Sequence, residues 1–431
     1  MKQLKINKRD ITLSTVLKTT LAAIILVTGG VQAKSIAITN ATVYTIASQG
    51  ILEQATVVID QGKIIEVYSN QNTPENIEVD ETIDAKGRIL TPGFIGSMNS
   101  LGLVEVNAVS RTRDDKDKKA DATFDASLAF NPKSTLISYT RKGGITSSII
   151  SPHGGEDLFA GQTFAADLSG EFTSIIDKQN AVLAYLGSTS KGSRAQRLQA
   201  LDYKFADAKK ALTKKKITKE KDKNESKEPK RDEQVINALL AGDKPLLAYA
   251  DRATDLLALL ALKKKYGVDI VLVGASDAVL VADEIAAAKV PVILSSINNL
   301  PSSFDSLHAS LNNMAKLAKA GVKIILAPNG DSHNINQLRY DAGIAVANGL
   351  PRADAFSALT ANVADVFKLN SGRIAVGKNA DLVLWSADPF EISTKVDLMW
   401  INGKQVSTLS RQDALRERYT KDTNMPRAYS K

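Results

Sequence analysis

Short apolar runs alternate with helix-like stretches through the middle of this chain, and this alternation limits the fold more than any other feature. The runs are rich in Val, Ile and Leu, which is typical of strands buried in a parallel sheet. The stretches between them have the length and polarity of amphipathic helices. The predicted strands span 246–249, 270–273, 290–294 and 322–326, and the predicted helices span 251–266, 278–289 and 307–320.

The alternation predicts an α/β fold with a parallel sheet, either a closed barrel or a doubly wound open sheet. It continues without the Gly-rich fingerprint that marks a dinucleotide-binding open sheet. We therefore favour a (β/α)₈ barrel, as in triosephosphate isomerase, over residues 91–366.

The two ends of the chain have a different character from the middle. Residues 36–45 and 55–60 read as strands, and a turn at Gln61-Gly62-Lys63 joins the second of them to the strand that follows. Residues 381–385 and 396–406 repeat the pattern. The prediction is a small composite β-sandwich domain built from residues 34–90 and 367–410, with residues 411–431 as a C-terminal tail.

The N-terminal 33 residues read as a signal peptide. Basic residues precede a short apolar run at 21–27, and Val31-Gln32-Ala33 offers a small-residue cleavage site. A membrane anchor is the alternative, but this run is much shorter than the roughly 20 apolar residues that a span needs. We predict export and a periplasmic location, where a chain without cysteine forms no stray disulfides.

The formal charge of +8 is unevenly distributed. Residues 207–233 hold eleven Lys or Arg and seven Asp or Glu, and the presequence carries the other half of the excess. The rest of the chain is close to neutral, which argues against a nucleic-acid partner. The Lys-rich insertion at 207–233 is predicted to be a solvated helix or a mobile loop, with a charged docking arm as the alternative.

Three motifs together resemble the amidohydrolase superfamily, particularly its imidazolonepropionase-like branch. They are Thr91-Pro92-Gly93-Phe94-Ile95, Ala358-Leu359-Thr360-Ala361-Asn362-Val363-Ala364, and the stretch from Gly372 to Val383. The resemblance covers nearly all of residues 36–406. It implies a barrel enzyme that hydrolyses non-peptide C–N bonds, such as amides or cyclic amides, with a water bound to one or two divalent metals.

The same resemblance implies that most metal ligands have been replaced. Where the superfamily has Asp-x-His-x-His after the first barrel strand, this chain has Gly96, Met98 and Ser100. Tyr249 and Gly274 stand at the histidine positions of strands five and six. Of the five usual ligand positions only the acid after strand eight, Asp331, is retained, so no metal cofactor is predicted unless a site has been rebuilt.

The remaining polar residues at predicted strand ends leave several readings open. Only three histidines are present, and His308 is expected to be a surface or capping residue. Asp331 and His333 are candidates for acid–base catalysis without a metal. A rebuilt zinc site would draw on His153 and His333 with nearby carboxylates. Candidate substrate-binding residues are Tyr249, Arg252, His153 and Glu105.

Two functional hypotheses follow from these residues. The first is a diverged periplasmic hydrolase, either metal-free or using a relocated ion. The second is a catalytically inactive barrel that binds a small molecule or serves as a partner subunit of an active paralogue, with a homo-oligomer as another option. A scaffold role for the Lys-rich insertion is a third and weaker reading.

Overall fold

A computed structural model describes residues 34–187, 192–219, 229–328 and 332–421. The predicted signal peptide, Asp331 and the last ten residues of the predicted tail lie outside the described residues. Within the part that is described, no helix is both long enough and apolar enough to cross a membrane.

Strands from both ends of the chain share one eight-stranded sheet. Its order is β16-β15-β14-β5-β1-β2-β3, with β4 paired to β1. The antiparallel pairing of β14 with β5 joins the two ends and confirms the predicted composite β domain, which takes the form of a single sheet. The strands are β1 (Ile36–Tyr44), β2 (Ile51–Asp60), β3 (Lys63–Tyr68), β4 (Glu81–Asp84), β5 (Ile89–Pro92), β14 (Leu382–Trp385), β15 (Val396–Ile401) and β16 (Lys404–Gln405).

A second eight-stranded sheet forms a nearly closed barrel, as predicted. Its strands follow one another in chain order from β6 to β13. The first and last approach each other where Ser97 Oγ donates a hydrogen bond to the Leu326 carbonyl oxygen at 3.2 Å. The strands are β6 (Phe94–Asn99), β7 (Ile145–Ile150), β8 (Phe159–Asp167), β9 (Ile175–Tyr185), β10 (Leu246–Ala250), β11 (Ile270–Gly274), β12 (Val292–Leu294) and β13 (Ile324–Leu326).

One strand of this barrel runs against the others. β8 is antiparallel to both β7 and β9, so these three strands form a meander, while the other pairs are parallel. The connections at 151–158 and 168–174 are too short for a crossover helix, which needs a dozen or more residues. The outer face of β8 and β9 therefore lacks the two helices that a regular (β/α)₈ barrel would place there.

Helices cover most of the remaining outer surface. The predicted helix at 278–289 is shorter, since α5 follows a 3₁₀ turn at Ala278–Leu280, and α6 begins after His308, which therefore does not cap it. The first part of the Lys-rich insertion, residues 207–219, lies within α2, and residues 220–228 lie outside the described residues. The helices are α1 (Thr135–Arg141), α2 (Arg194–Lys219), α3 (Arg231–Ala241), α4 (Ala253–Tyr266), α5 (Ala282–Ala287), α6 (Asn313–Lys319), α7 (Leu338–Ala347), α8 (Arg352–Leu359), α9 (Ala361–Val366) and α10 (Arg411–Thr420).

Candidate functional site

Much of the barrel interior is filled by apolar side chains. Buried side chains from alternate strand positions pack together there, among them Ile95, Leu247 and Ile325. Three larger side chains lie against the top of this cluster: Met98, Tyr185 and Tyr249. Active sites of barrel enzymes are built at this end, so these three residues occupy the place where a reacting group would be expected.

Tyr249 of β10 lies directly against Gly274, the last residue of β11. β11 is the sixth strand of the barrel, and Gly274 is the position where the superfamily resemblance implies a histidine. A Cβ atom on Gly274 would be 3.3 Å from Tyr249 Cζ and 2.9 Å from Asp251 Oδ1. Gly274 also has a φ of +80°, which side-chain-bearing residues rarely adopt. Because Gly274 of β11 has no side chain, the Tyr249 ring of β10 fits beside it.

The two tyrosines at the top of the barrel remain neutral phenols at physiological pH. Their ring centroids are 5.6 Å apart. Burial, with smaller contributions from Tyr249 and Asp115, raises the pKa of Tyr185 to about 12. Burial and then the neighbouring Asp251 also raise the pKa of Tyr249. A phenol held neutral can donate a hydrogen bond, but it is a poor ligand for a divalent metal.

The residues described at the superfamily's ligand positions do not fit a catalytic metal. Met98, Ser100, Tyr249 and Gly274 supply no imidazole or carboxylate. The backbone N–H of Ser100 donates a hydrogen bond to Ser332 Oγ at 3.0 Å, which ties the ends of strands one and eight together. Across the described ranges, no three His, Cys, Asp or Glu side chains converge as a metal site would require. Asp331 lies outside those ranges.

His153 is paired with a carboxylate that sequence reasoning missed. Asp115, whose side chain is fully buried, contacts His153 Nδ1 at 3.1 Å and Arg113 Nη2 at 3.0 Å. The backbone N–H of His153 also donates to the Asp115 carbonyl oxygen at 2.7 Å. The His153 side chain is 60% exposed, so the buried carboxylate orients an imidazole that solvent can reach. Two loops far apart in sequence form this pair, and no local pattern marks it.

Replacing Asp115 with Asn is expected to lower the free energy of unfolding at pH 7 by about 2 kcal/mol. Burial opposes ionisation of Asp115, but the hydrogen bonds from His153 and Arg113 outweigh it and lower its pKa to about 2. A lowered carboxyl pKa stabilises the folded state above pH 3.8, and this contribution is lost as the pH falls through 2. Urea unfolding measures the effect.

Asp114→Asn is the matched control for this change, because Asp114 is adjacent in sequence but exposed. Its replacement removes the same charge without breaking the buried pair. We expect a change within about 0.5 kcal/mol, as for ordinary surface substitutions. Equal effects of the two replacements would show that the buried Asp115 contacts contribute nothing beyond a surface charge.

Arg252, a predicted substrate-binding residue, is held by an acidic side chain instead. Its Nε lies 2.5 Å from Asp305 Oδ1, and Arg194 contacts the other oxygen of the same carboxylate. Asp305 is on the connection after β12, so this ion-pair group fixes that connection to the end of β10. The arrangement favours a structural role for Arg252 at the rim of the barrel.

A second histidine–carboxylate pair lies beside this ion-pair group. His308 Nδ1 is 2.7 Å from Asp277 Oδ1, and Asp251 accepts hydrogen bonds from the backbone and hydroxyl of Ser276. Burial, opposed by Ser276, raises the pKa of Asp251, with smaller contributions from Asp305 and Asp277. Asp251 and Asp277 follow the carboxyl ends of β10 and β11, a position that would have identified them from sequence.

The other predicted site residues are dispersed. Glu105 accepts a hydrogen bond from Asn131 Nδ2 at 3.3 Å. His333 lies exposed in a 3₁₀ turn, Ser332–Gln337, after the last barrel strand. A further carboxyl group near this end, Asp341 of α7, has its pKa raised to about 6 by burial, and its backbone oxygen accepts from Ser296 Oγ. Nothing in the local sequence distinguishes Asp341 from an ordinary helical acid.

Comparison with known proteins supports the superfamily assignment. The model of the amidohydrolase family matches residues 242–406. A crystal structure of an amidohydrolase from Thermotoga maritima MSB8 is 25% identical, with a TM-score of 0.77, and the alignment covers 87% of this chain and all of that chain. No curated protein matches the sequence.

More distant structures show the same fold. A β-aspartyl dipeptidase from Fervidobacterium islandicum AW-1, solved with a β-Asp-Leu dipeptide, is 16% identical with a TM-score of 0.55, covering 88% of this chain and 98% of that chain. A prolidase solved with N-methylphosphonate-L-proline is 16% identical with a TM-score of 0.54, covering 86% and 99%. The C-terminal part of the chain matches the amidohydrolase family, and the fold of most of the chain is similar to that of a solved amidohydrolase. The place of this chain in the imidazolonepropionase-like branch stays a prediction.

Proposed function

We propose that this protein is a periplasmic amidohydrolase-family barrel with a degenerate metal centre that binds a small molecule without metal-dependent hydrolysis. The observation that carries the proposal is the Tyr249 ring packed against Gly274. It supports a barrel mouth in which an aromatic side chain fills the volume that two histidine ligands would need. Association with an active paralogue remains a further prediction of the same hypothesis.

The decisive experiment measures metal content and hydrolysis on one sample. The sample is untagged protein from the periplasm, whose intact mass also tests cleavage after Ala33. We expect less than about a tenth of an equivalent of zinc, manganese or iron after dialysis, because the described ligand positions lack imidazoles. We also expect no turnover of cyclic amides, β-aspartyl dipeptides or Xaa-Pro dipeptides, with or without added metal.

Asp331→Ala provides the control for a rebuilt site. Near-stoichiometric metal that is lost in this variant would overturn the proposal, because it would place a metal on the one ligand position that the chain retains. Metal that persists in the variant and supports no turnover would be bound elsewhere and would leave the proposal standing.

A second candidate function, metal-free hydrolysis, is favoured by the contact between His153 and Asp115. A buried carboxylate that orients an imidazole is the arrangement used by general bases in hydrolases. If the substrate panel shows turnover without metal, His153→Gln should abolish it. Loss of turnover in that variant, with its circular dichroism spectrum unchanged, would replace the proposed function with this one.

A further inference from the structure

The meander of β7, β8 and β9 leaves a cleft on the outer flank of the barrel. Because no helices cross between these strands, residues 113–129 and helix α3 cover their outer face only in part. The space between them is about 940 Å³, within the upper range of small-molecule sites. We call it the flank cleft; its lining includes Lys116, Asp125, Gln162, Gln179, Arg231 and Lys244.

A half-buried lysine lies in this cleft without a counter-ion. Lys244 Nζ donates a hydrogen bond to Gln162 Oε1 at 2.9 Å, and Gln162 is only 2% exposed. Among the described residues, no carboxylate oxygen lies within 4 Å of Lys244 Nζ. A half-buried ammonium satisfied by one neutral amide has capacity for an anionic partner.

The pKa of Lys244 is consistent with this arrangement. Burial lowers it, while the more distant Asp177, Asp243 and Asp125 act in the opposite direction. An anion bound at Nζ would compensate for the lost hydration of the ammonium, as these carboxylates do only in part.

The wall around Lys244 is held in place by its own hydrogen bonds. Asp125 accepts from Gln179 Nε2 at 2.8 Å and from the Ser127 backbone N–H at 3.0 Å. The backbone of Gln162 donates to the Phe124 carbonyl oxygen at 2.9 Å, which fixes the covering segment to β8. The Asp125 carboxylate is therefore engaged within the wall, and a ligand would meet a preformed site.

We propose that the flank cleft binds a small carboxylate-bearing molecule, with its carboxylate on Lys244. Arg231 and Lys116 line the same cleft and would attract the anion. Asp114 and Asp117 also line it, and they oppose a doubly charged phosphate more strongly than a singly charged carboxylate. The mixed charge therefore favours carboxylates over phosphates.

Calorimetric titration with lactate, glutamate and inorganic phosphate, at a mildly alkaline pH where phosphate is doubly charged, tests the proposal on the mature protein. We expect a carboxylate to bind, and Lys244→Met to weaken it at least about tenfold, since the main charge-assisted hydrogen bond is lost. Lys244→Arg, which keeps the charge, should stay within about threefold of the original affinity. Lys178→Met, at an exposed position of β9, is the control and should have no effect.

Melting temperatures of the variants establish that each is folded. Absence of carboxylate binding would overturn the proposal, and so would binding that survives Lys244→Met. Binding of phosphate alone would overturn the carboxylate assignment. The proposal goes beyond the proposed function, because metal-dependent turnover at the barrel mouth would refute the latter and leave the titration results unaffected.

Discussion

Replacing Gly274 with Ala is expected to lower the free energy of unfolding by about 3 kcal/mol. Two costs add at this position. An alanine at a φ of +80° is strained by about 1 kcal/mol relative to glycine. The new Cβ would also approach the Tyr249 ring and the Asp251 carboxylate more closely than ordinary contacts allow, and overpacking costs about 1–3 kcal/mol. Urea unfolding at neutral pH provides the measurement.

Gly267→Ala separates the two costs. Gly267 ends α4 with a φ of +77°, close to that of Gly274, but a Cβ there would have no atom within 4 Å. Its replacement therefore measures the backbone strain alone, about 1 kcal/mol. The difference of about 2 kcal/mol between the two variants reports the packing of Tyr249 and Asp251 against strand six.

The same comparison bears on the proposed function. Gly274→Ala could instead lower the free energy of unfolding by no more than Gly267→Ala. The Tyr249 ring would then move aside at no cost, and the position of Gly274 on β11 would be open to a ligand. In a Tyr249→Leu background, Gly274→Ala should cost less than in the wild type, because the ring contact is absent. The Asp251 contact stays in place, so part of the cost should remain.

The parallel strands of the barrel could be predicted because each has a recognisable pattern in its local sequence. Strands buried on both faces appear as uninterrupted apolar runs, as at Leu246–Ala250 and Ile270–Gly274. The antiparallel strand Phe159–Asp167 is also buried along its whole length, so its residues give no sign of direction. The direction of this strand follows from the short connections that precede and follow it. The lengths of these connections are known only once the strands on both sides have been located.

The loss of the usual metal ligands at the candidate site could be predicted from the sequence. The side-chain contacts that take their place could not. The substitutions at Met98, Ser100, Tyr249 and Gly274 follow from position within the superfamily motifs. The burial of Asp115 against His153 depends on two loops that meet only in the folded barrel. The contact between Tyr249 and Gly274 likewise depends on the register of β10 and β11, which pairs Ala250 with Gly274.

Replacing Asp381 with Asn is expected to remove a pH-dependent loss of stability between about pH 4 and 6. Asp381 precedes β14, where the chain re-enters the β sheet, and its Oδ1 accepts the Asn402 backbone N–H at 2.7 Å. Burial, partly opposed by this hydrogen bond, raises its pKa to about 6, and the nearby Asp167 adds to the rise. Asn402 Nδ2 donates to Asp167, so the backbone and the side chain of one residue bind the two carboxyl groups between the sheet and the barrel.

The sign follows from proton binding. The folded-state pKa of about 6 lies above the unfolded value of 3.8, so the folded protein binds this proton more tightly. The Asp381 contribution to stability is therefore largest below pH 3.8 and is lost as the pH rises through 6. Between about pH 4.5 and 7.5 the wild-type protein should lose about 2 kcal/mol that Asp381→Asn does not lose.

Urea unfolding of both proteins at the two pH values measures this difference. Comparing the change across pH, instead of stability at one pH, cancels any new contacts that the asparagine amide makes. Asp60→Asn, at the turn between two strands of the same sheet, controls for the loss of one negative charge. Parallel pH profiles for wild type and Asp381→Asn would mean that Asp381 is ionised in the folded protein, and that Asn402 and its surroundings stabilise a buried charge where sheet and barrel meet.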